Sequence, residues 1–309
     1  MNLPTTPQGW ANHITLILNK VKGEHDRFPV DVRSVAYELS RQLFPEAPIT
    51  QIEGNDFGSG IEGMLVPIPN KTGEWGIIYN ESTRSKGRIN FTLAHEFGHY
   101  LLHRKLRPSG FQCAPRDMVR WDQGEGKIET EANCFASYLL MPLDDFRKQI
   151  NRKEVSMSLM RDLANRYDVS LTATILKWLS VTEQRAMIVV GREGFIDWAW
   201  SSKPLYKSGV FYRARQEVSA LPAQSLAALS DINIDNITGI KHPQGVWSDR
   251  EEVQEMTLLA HHDEMTISLL IYPDPSPERY NKGWIEHLDG PKLFDSFDRF
   301  TDFENRINR

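Results

Sequence analysis

The chain has 309 residues, 40% apolar and 25% charged, which is ordinary globular usage and excludes a collagen-like or wholly disordered protein. Its net charge is -5 with no run of five like charges, so nucleic acid is not expected as a direct partner. Two cysteines (Cys113 and Cys134), no apolar leader in the first ten residues and no stretch approaching 18 apolar residues predict a cytoplasmic protein without structural disulfides or a membrane partner.

In chain order, apolar positions at helical spacing predict helices over 10–20 and 31–43, the second opening at Asp31. Strand-like pieces follow at 49–52, 63–67 and 74–79, separated by turns rich in Gly and Asn, and the third could be an edge to which an extended peptide adds. A long helix is expected over 85–106 and another over 127–140, stopped by Pro142. Further short helices are expected at 142–151 and across 156–179, the latter split at Asp168 with helix-turn-helix spacing. Its second half carries one Lys and no Arg, Asn or Gln to read base edges, which favours packing or substrate docking. Beyond residue 185 β-branched and aromatic runs predict strands at 186–190, 195–200, 210–212 and 266–272, the last preceded by a turn at His261-His262-Asp263-Glu264. Residues 1–185 hold 23 basic and 22 acidic side chains and 186–309 hold 13 and 19, so the acidity belongs to the C-terminal part.

Within the long helix His95-Glu96-Phe97-Gly98-His99 is an instance of H-E-x-x-H. Positions i and i+4 share a helix face, so both imidazoles can reach one zinc ion while Glu96 reaches a water bound to it and takes its proton during attack on a peptide carbonyl. A third protein ligand is needed, and the helix at 127–140 offers Glu129 and Glu131. These lie about 160° apart around the axis, and spacing alone leaves the choice open. His103 is displaced about 12 Å along the axis from His95, too far to share the ion on a straight helix. His103 and Asn133 could instead tune the ligands from behind, although solvent exposure or helix packing accounts for either residue equally well. Tyr100, Tyr138, Arg161 and Tyr167 are candidate donors to a developing oxyanion. Cys113 could close the metal's open position as a thiolate, although an ordinary loop cysteine is the stronger reading.

The string from Arg88 to His103 (RINFTLAHEFGHYLLH), followed by Glu129 to Pro142 (ETEANCFASYLLMP), resembles the ImmA/IrrE family of zinc metallopeptidases, and the resemblance extends over roughly residues 30–180. It implies a gluzincin-type site with His95 and His99 as ligands, Glu96 as base, and Glu131, the glutamate of the E-A-N motif, as third ligand. The metal implied is zinc, with manganese as the alternative.

The expected architecture is therefore α+β: a zincin-like peptidase domain over 1–150, a helix-turn-helix-like extension over 151–184, and a β-rich C-terminal domain over 185–309 that could serve regulation. The expected function is a zinc endopeptidase acting on a specific protein substrate. The resemblance implies a helix-turn-helix (Xre-like) repressor encoded nearby. The competing reading is a zinc-stabilised binding module that regulates a repressor or antitoxin by contact alone.

Overall fold

A computed structural model describes residues 3–58, 61–83, 85–113, 125–212, 218–229, 238–260 and 265–274. The described chain divides into two compact units, one formed by residues up to Asn151 with Ala164–Ser170, the other by Arg152–Leu163 with the residues from Leu171 onward.

In the first unit α1 (Pro7–Lys22) starts where the Thr6 hydroxyl accepts a hydrogen bond from Gly9 N, with Pro7 at the first helical position and Gly23 in the left-handed region at its end. Its buried stripe, Trp10, Ala11, Ile14 and Leu18, follows the helical period. Asp31 caps α2 (Val32–Leu43) by accepting from Ser34 N. A four-stranded sheet follows with the order β1-β3-β2-β4: β1 (Ile49–Asn55) runs parallel to β3 (Trp75–Asn80), and β2 (Gly63–Pro67) pairs antiparallel with both β3 and β4 (Phe111–Cys113). The strand over 74–79 is thus interior, hydrogen-bonded on both sides. The expectation that it offers an edge to a peptide is corrected, because partners distant in sequence saturate it.

Ser85 caps α3 (Lys86–Leu102), which packs against β2, β3 and α4 (Glu125–Leu140) and is buried continuously from Thr92 to Leu101. A surface helix would show one apolar stripe; α3 is covered all round, which is why polar His95, Glu96 and His99 can lie in the interior. After α4, Pro142 stops the helix and α5 (Leu143–Ile150) begins.

The helix α6 (Met157–Tyr167) and α7 (Leu171–Val181) flank Asp168, which takes a positive φ of 50° at the turn. Every residue of α7 from Thr172 to Leu179 is buried, so those positions present no side chain to a nucleic-acid groove.

The second unit carries a six-stranded antiparallel sheet, order β7-β6-β5-β10-β9-β8, built from β5 (Ala186–Arg192), β6 (Phe195–Ser201), β7 (Ser219–Ala220), β8 (Ile240–His242), β9 (Val253–Ala260) and β10 (Met265–Ile271). Glu193 and Gly194, both at positive φ, turn β5 into β6. No strand forms at Val210–Tyr212. A short helix, α8 (Lys203–Lys207), capped by Ser202, precedes it instead, and the Tyr212 hydroxyl donates to the Trp247 carbonyl. The turn at His261–Glu264 lies outside the described residues. On one face of the sheet Met187, Val189, Ile196, Leu205, Trp247 and Leu270 form a shared core. Two buried polar clusters fasten the unit. Arg185 pairs bidentately with Glu251 and also donates to the Pro273 carbonyl. Glu255, fully buried, accepts from Leu226 N, Ala227 N, Trp247 Nε1 and Thr257 Oγ1.

Candidate metal centre

His95 and His99 stand one turn apart on α3 and turn their Nε2 atoms toward each other, 2.9 Å apart. The Glu129 carboxylate of α4 spans both, Oε2 lying 3.2 Å from His95 Nε2 and Oε1 3.3 Å from His99 Nε2. Among the described residues, these three form the one group of His, Cys, Asp and Glu side chains whose ligand atoms converge closely enough to hold a metal ion. An ion bound tetrahedrally at about 2.0–2.1 Å sets its ligand atoms about 3.3 Å apart, so the triangle matches such an ion within a few tenths of an ångström.

The donor chemistry supports the same fit. Asn133 Oδ1 can only accept, so His95 Nδ1 at 2.8 Å donates to it, and the Nε2 of neutral His95 is a bare lone pair. That lone pair faces His99 Nε2 and the Glu129 carboxylate inside the protein, an arrangement that a cation between them would satisfy. Without a metal a proton answers the demand. Burial by itself lowers the His95 pKa, but the Glu129 hydrogen bond and charge, with Glu96 adding to them, push it up to about 9. Burial dominates at His99 and holds its pKa down at about 4 against the pull of Glu129. Although burial opposes it, the Glu129 carboxyl is held well below the usual carboxylate range by the two imidazoles.

The carboxylate that joins the two imidazoles is Glu129, whereas the resemblance pointed to Glu131. Glu129 and Asn133 are four residues apart on one stripe of α4 and both meet His95, whereas Glu131 lies on another stripe and directs Oε2 to His103 Nε2 at 3.0 Å and Oε1 toward Lys127 at 3.7 Å. His103, where α3 ends, places its Nδ1 3.1 Å from His99 Nδ1 and has its pKa lowered by burial.

Two glycines set the spacing. A Cβ at Gly98 would lie 3.0 Å from the Phe135 ring and 3.2 Å from Ala132 Cα, so its absence lets α4 approach α3 closely enough for Glu129 to reach both histidines. At Gly63, where β2 begins, a Cβ would lie 2.5 Å from Thr92 Cγ2 and 2.9 Å from Glu96 Oε1. The backbone of β2 is thus laid directly on Glu96, which is fully buried. Asn80 fixes the approach to that strand, donating to the Gly58 and Ile61 carbonyls and accepting from Ser82. Phe111 stacks on the His99 ring, centroids 4.6 Å apart and planes at 13°.

Of the candidate oxyanion donors, Tyr100 is committed to the Ala47 carbonyl at 2.6 Å and Tyr167 to Asp145 at 2.7 Å, so neither hydroxyl is available. Arg161 is exposed and Tyr138 half-buried on α4. The Cys113 side chain lies outside the described residues. The roles of Phe111, Gly63 and Gly98 were missed from sequence. Glu129 had a signal in it, because any helix face carrying Asn133 toward the site also carries the residue four positions earlier.

Residues 63–178 match the family model described as the IrrE N-terminal-like domain, Peptidase_M78. No curated protein sequence matches the chain. Among solved structures, a "Mycobacterium tuberculosis transcriptional regulator" is similar, with a TM-score of 0.49 and 13% identity over 86% of this chain and 76% of that one.

Proposed function

We propose, from the match of residues 63–178 to the IrrE N-terminal-like domain and the geometry of the site, that the chain is a zinc-dependent endopeptidase of the ImmA/IrrE kind whose metal is held by His95, His99 and Glu129 and whose general base is Glu96. The observation that carries this reading is the convergence of two imidazole Nε2 atoms and one carboxylate within 3.3 Å on buried helices, with Glu96 next in sequence to the first ligand. Zinc held there supplies Lewis acidity, polarising a peptide carbonyl and acidifying water. Glu96 would accept the proton of the attacking water as the C–O bond forms and the carbonyl π bond opens, and then deliver that proton to the amide nitrogen as the carbonyl re-forms and the C–N bond breaks. The β2 backbone passes close over Glu96, whose burial keeps bulk water from competing for the carboxylate. A purely structural zinc site has no use for a buried acid beside its ligands.

The substrate we propose is a helix-turn-helix, Xre-like repressor encoded near this gene, a choice that rests on the family alone, and the setting is the cytoplasm. The test is intact-mass analysis of that repressor incubated with zinc-loaded wild type, Glu96→Gln and Glu129→Gln. Two discrete fragments are expected with wild type alone, Glu96→Gln retaining zinc and Glu129→Gln losing it. Cleavage by Glu96→Gln at the wild-type rate would overturn the mechanism. An uncut repressor beside hydrolysis of another protein would overturn only the choice of substrate.

A further inference from the structure

Two imidazole nitrogens in hydrogen-bond contact share one proton, and at His99 and His103 the contact is Nδ1 to Nδ1 at 3.1 Å. Which ring supplies that proton decides whether His99 offers a lone pair or an N–H at Nε2, and hence whether it can be a ligand at all. The far end of the chain of contacts settles the direction. Glu131 Oε2 lies 3.0 Å from His103 Nε2, and a carboxylate only accepts, so His103 carries its proton on Nε2. The Nδ1 of neutral His103 is then bare, His99 Nδ1 must donate to it, and His99 Nε2 is left as a lone pair aimed at His95 and Glu129. His103 is buried and Phe111 stacks on the His99 ring, so neither ring is free to rotate away from the other.

We propose that His103 and Glu131 are positioning residues: together they fix the tautomer of His99, as Asn133 fixes that of His95 by direct contact. The glutamate that the family resemblance put on the metal thus acts two imidazoles behind it. The proposal rests on the reading of His95, His99 and Glu129 as the metal site for its consequence, but the tautomer itself can be read without metal.

The variants are Glu131→Gln, which keeps an acceptor at the end of the relay, Glu131→Lys, which puts a donor there, and His103→Leu, which removes the relay. The first readout is the ¹⁵N long-range correlation spectrum of the His99 ring in metal-free full-length protein. The second is zinc affinity by competition with a chromophoric chelator. Wild type and Glu131→Gln are expected to hold His99 as the Nδ1–H form with affinities within about threefold of each other. In Glu131→Lys and His103→Leu the Nε2–H form should appear and zinc affinity should fall by about 10–100-fold, the usual effect of losing a partner behind a metal ligand. His99 remaining the Nδ1–H form in both of these variants, with native circular dichroism, would overturn the proposal. Tautomers that follow the variants in a protein that binds no zinc would uphold the relay and overturn the metal reading instead.

Discussion

Asp145 shows how much one buried carboxylate can tie together in this chain. It accepts from Arg166 Nε and Nη2 at 2.7 and 2.9 Å and from the Tyr167 hydroxyl at 2.7 Å, joining α5 to the end of α6. Burial alone raises its pKa, but these donors hold it below its ordinary 3.8. A carboxylate depressed in the folded state contributes stability that is fully present above the unfolded value and is lost as pH falls through the folded one. Asp145→Asn is therefore expected to cost about 1–3 kcal/mol at pH 7. In urea titrations that difference should shrink once pH drops below 3.8, and an equal difference at pH 7 and pH 3 would refute the assignment. At this same scale the sequence is legible only in part. His95, Glu96 and His99 are readable because their relation is intrahelical, fixed by 3.6 residues per turn. Glu129 against Glu131 is legible only through Asn133, which shares the stripe of Glu129; which stripe meets α3 depends on how α4 is rotated toward it, a relation between helices that no local period encodes.

Gly98 is the element-scale counterpart of that rotation. The α3–α4 approach it permits sets the distance from Glu129 to both histidines, and Ala132 and Ala136, both fully buried, keep the facing surface of α4 low. Gly98→Ala is expected to keep or raise helicity, since Ala is the better helix former by about 1 kcal/mol, yet weaken zinc binding on the order of tenfold by holding the helices a few tenths of an ångström apart. Chelator competition with circular dichroism checks both halves, and wild-type zinc affinity in the variant would show that the helices yield elsewhere. The same distinction separates the elements foreseen from those missed. Caps and periodicity marked α2 to within a residue and α1, α3 and α4 to within about four residues at each end, because those signals are local. The interior place of β3 and the irregular path of 210–212 depend on which distant segment pairs with which.

For the whole molecule, His95, His99 and Glu129 all lie in the first of the two units. A ligand that binds only the folded state stabilises by about 2.7 kcal/mol at a free concentration one hundred times its Kd. Scanning calorimetry with zinc and then with a chelator should therefore shift the transition of the unit holding His95, His99 and Glu129 and leave the other in place; equal shifts of all transitions would contradict this. The second unit poses a different physical question, answered by its strand order. Ala186–Val190 and Ile267–Ile271 are the kind of short, uncharged, β-branched runs that stack between molecules when left open. Here they are each other's neighbours at the centre of the sheet, and β6 and β9 pair with their outer sides, so neither run lies at a margin. Trimming the chain so that β6 or β9 is lost would put one of those runs at the rim, and such a fragment is expected to aggregate where the full chain does not.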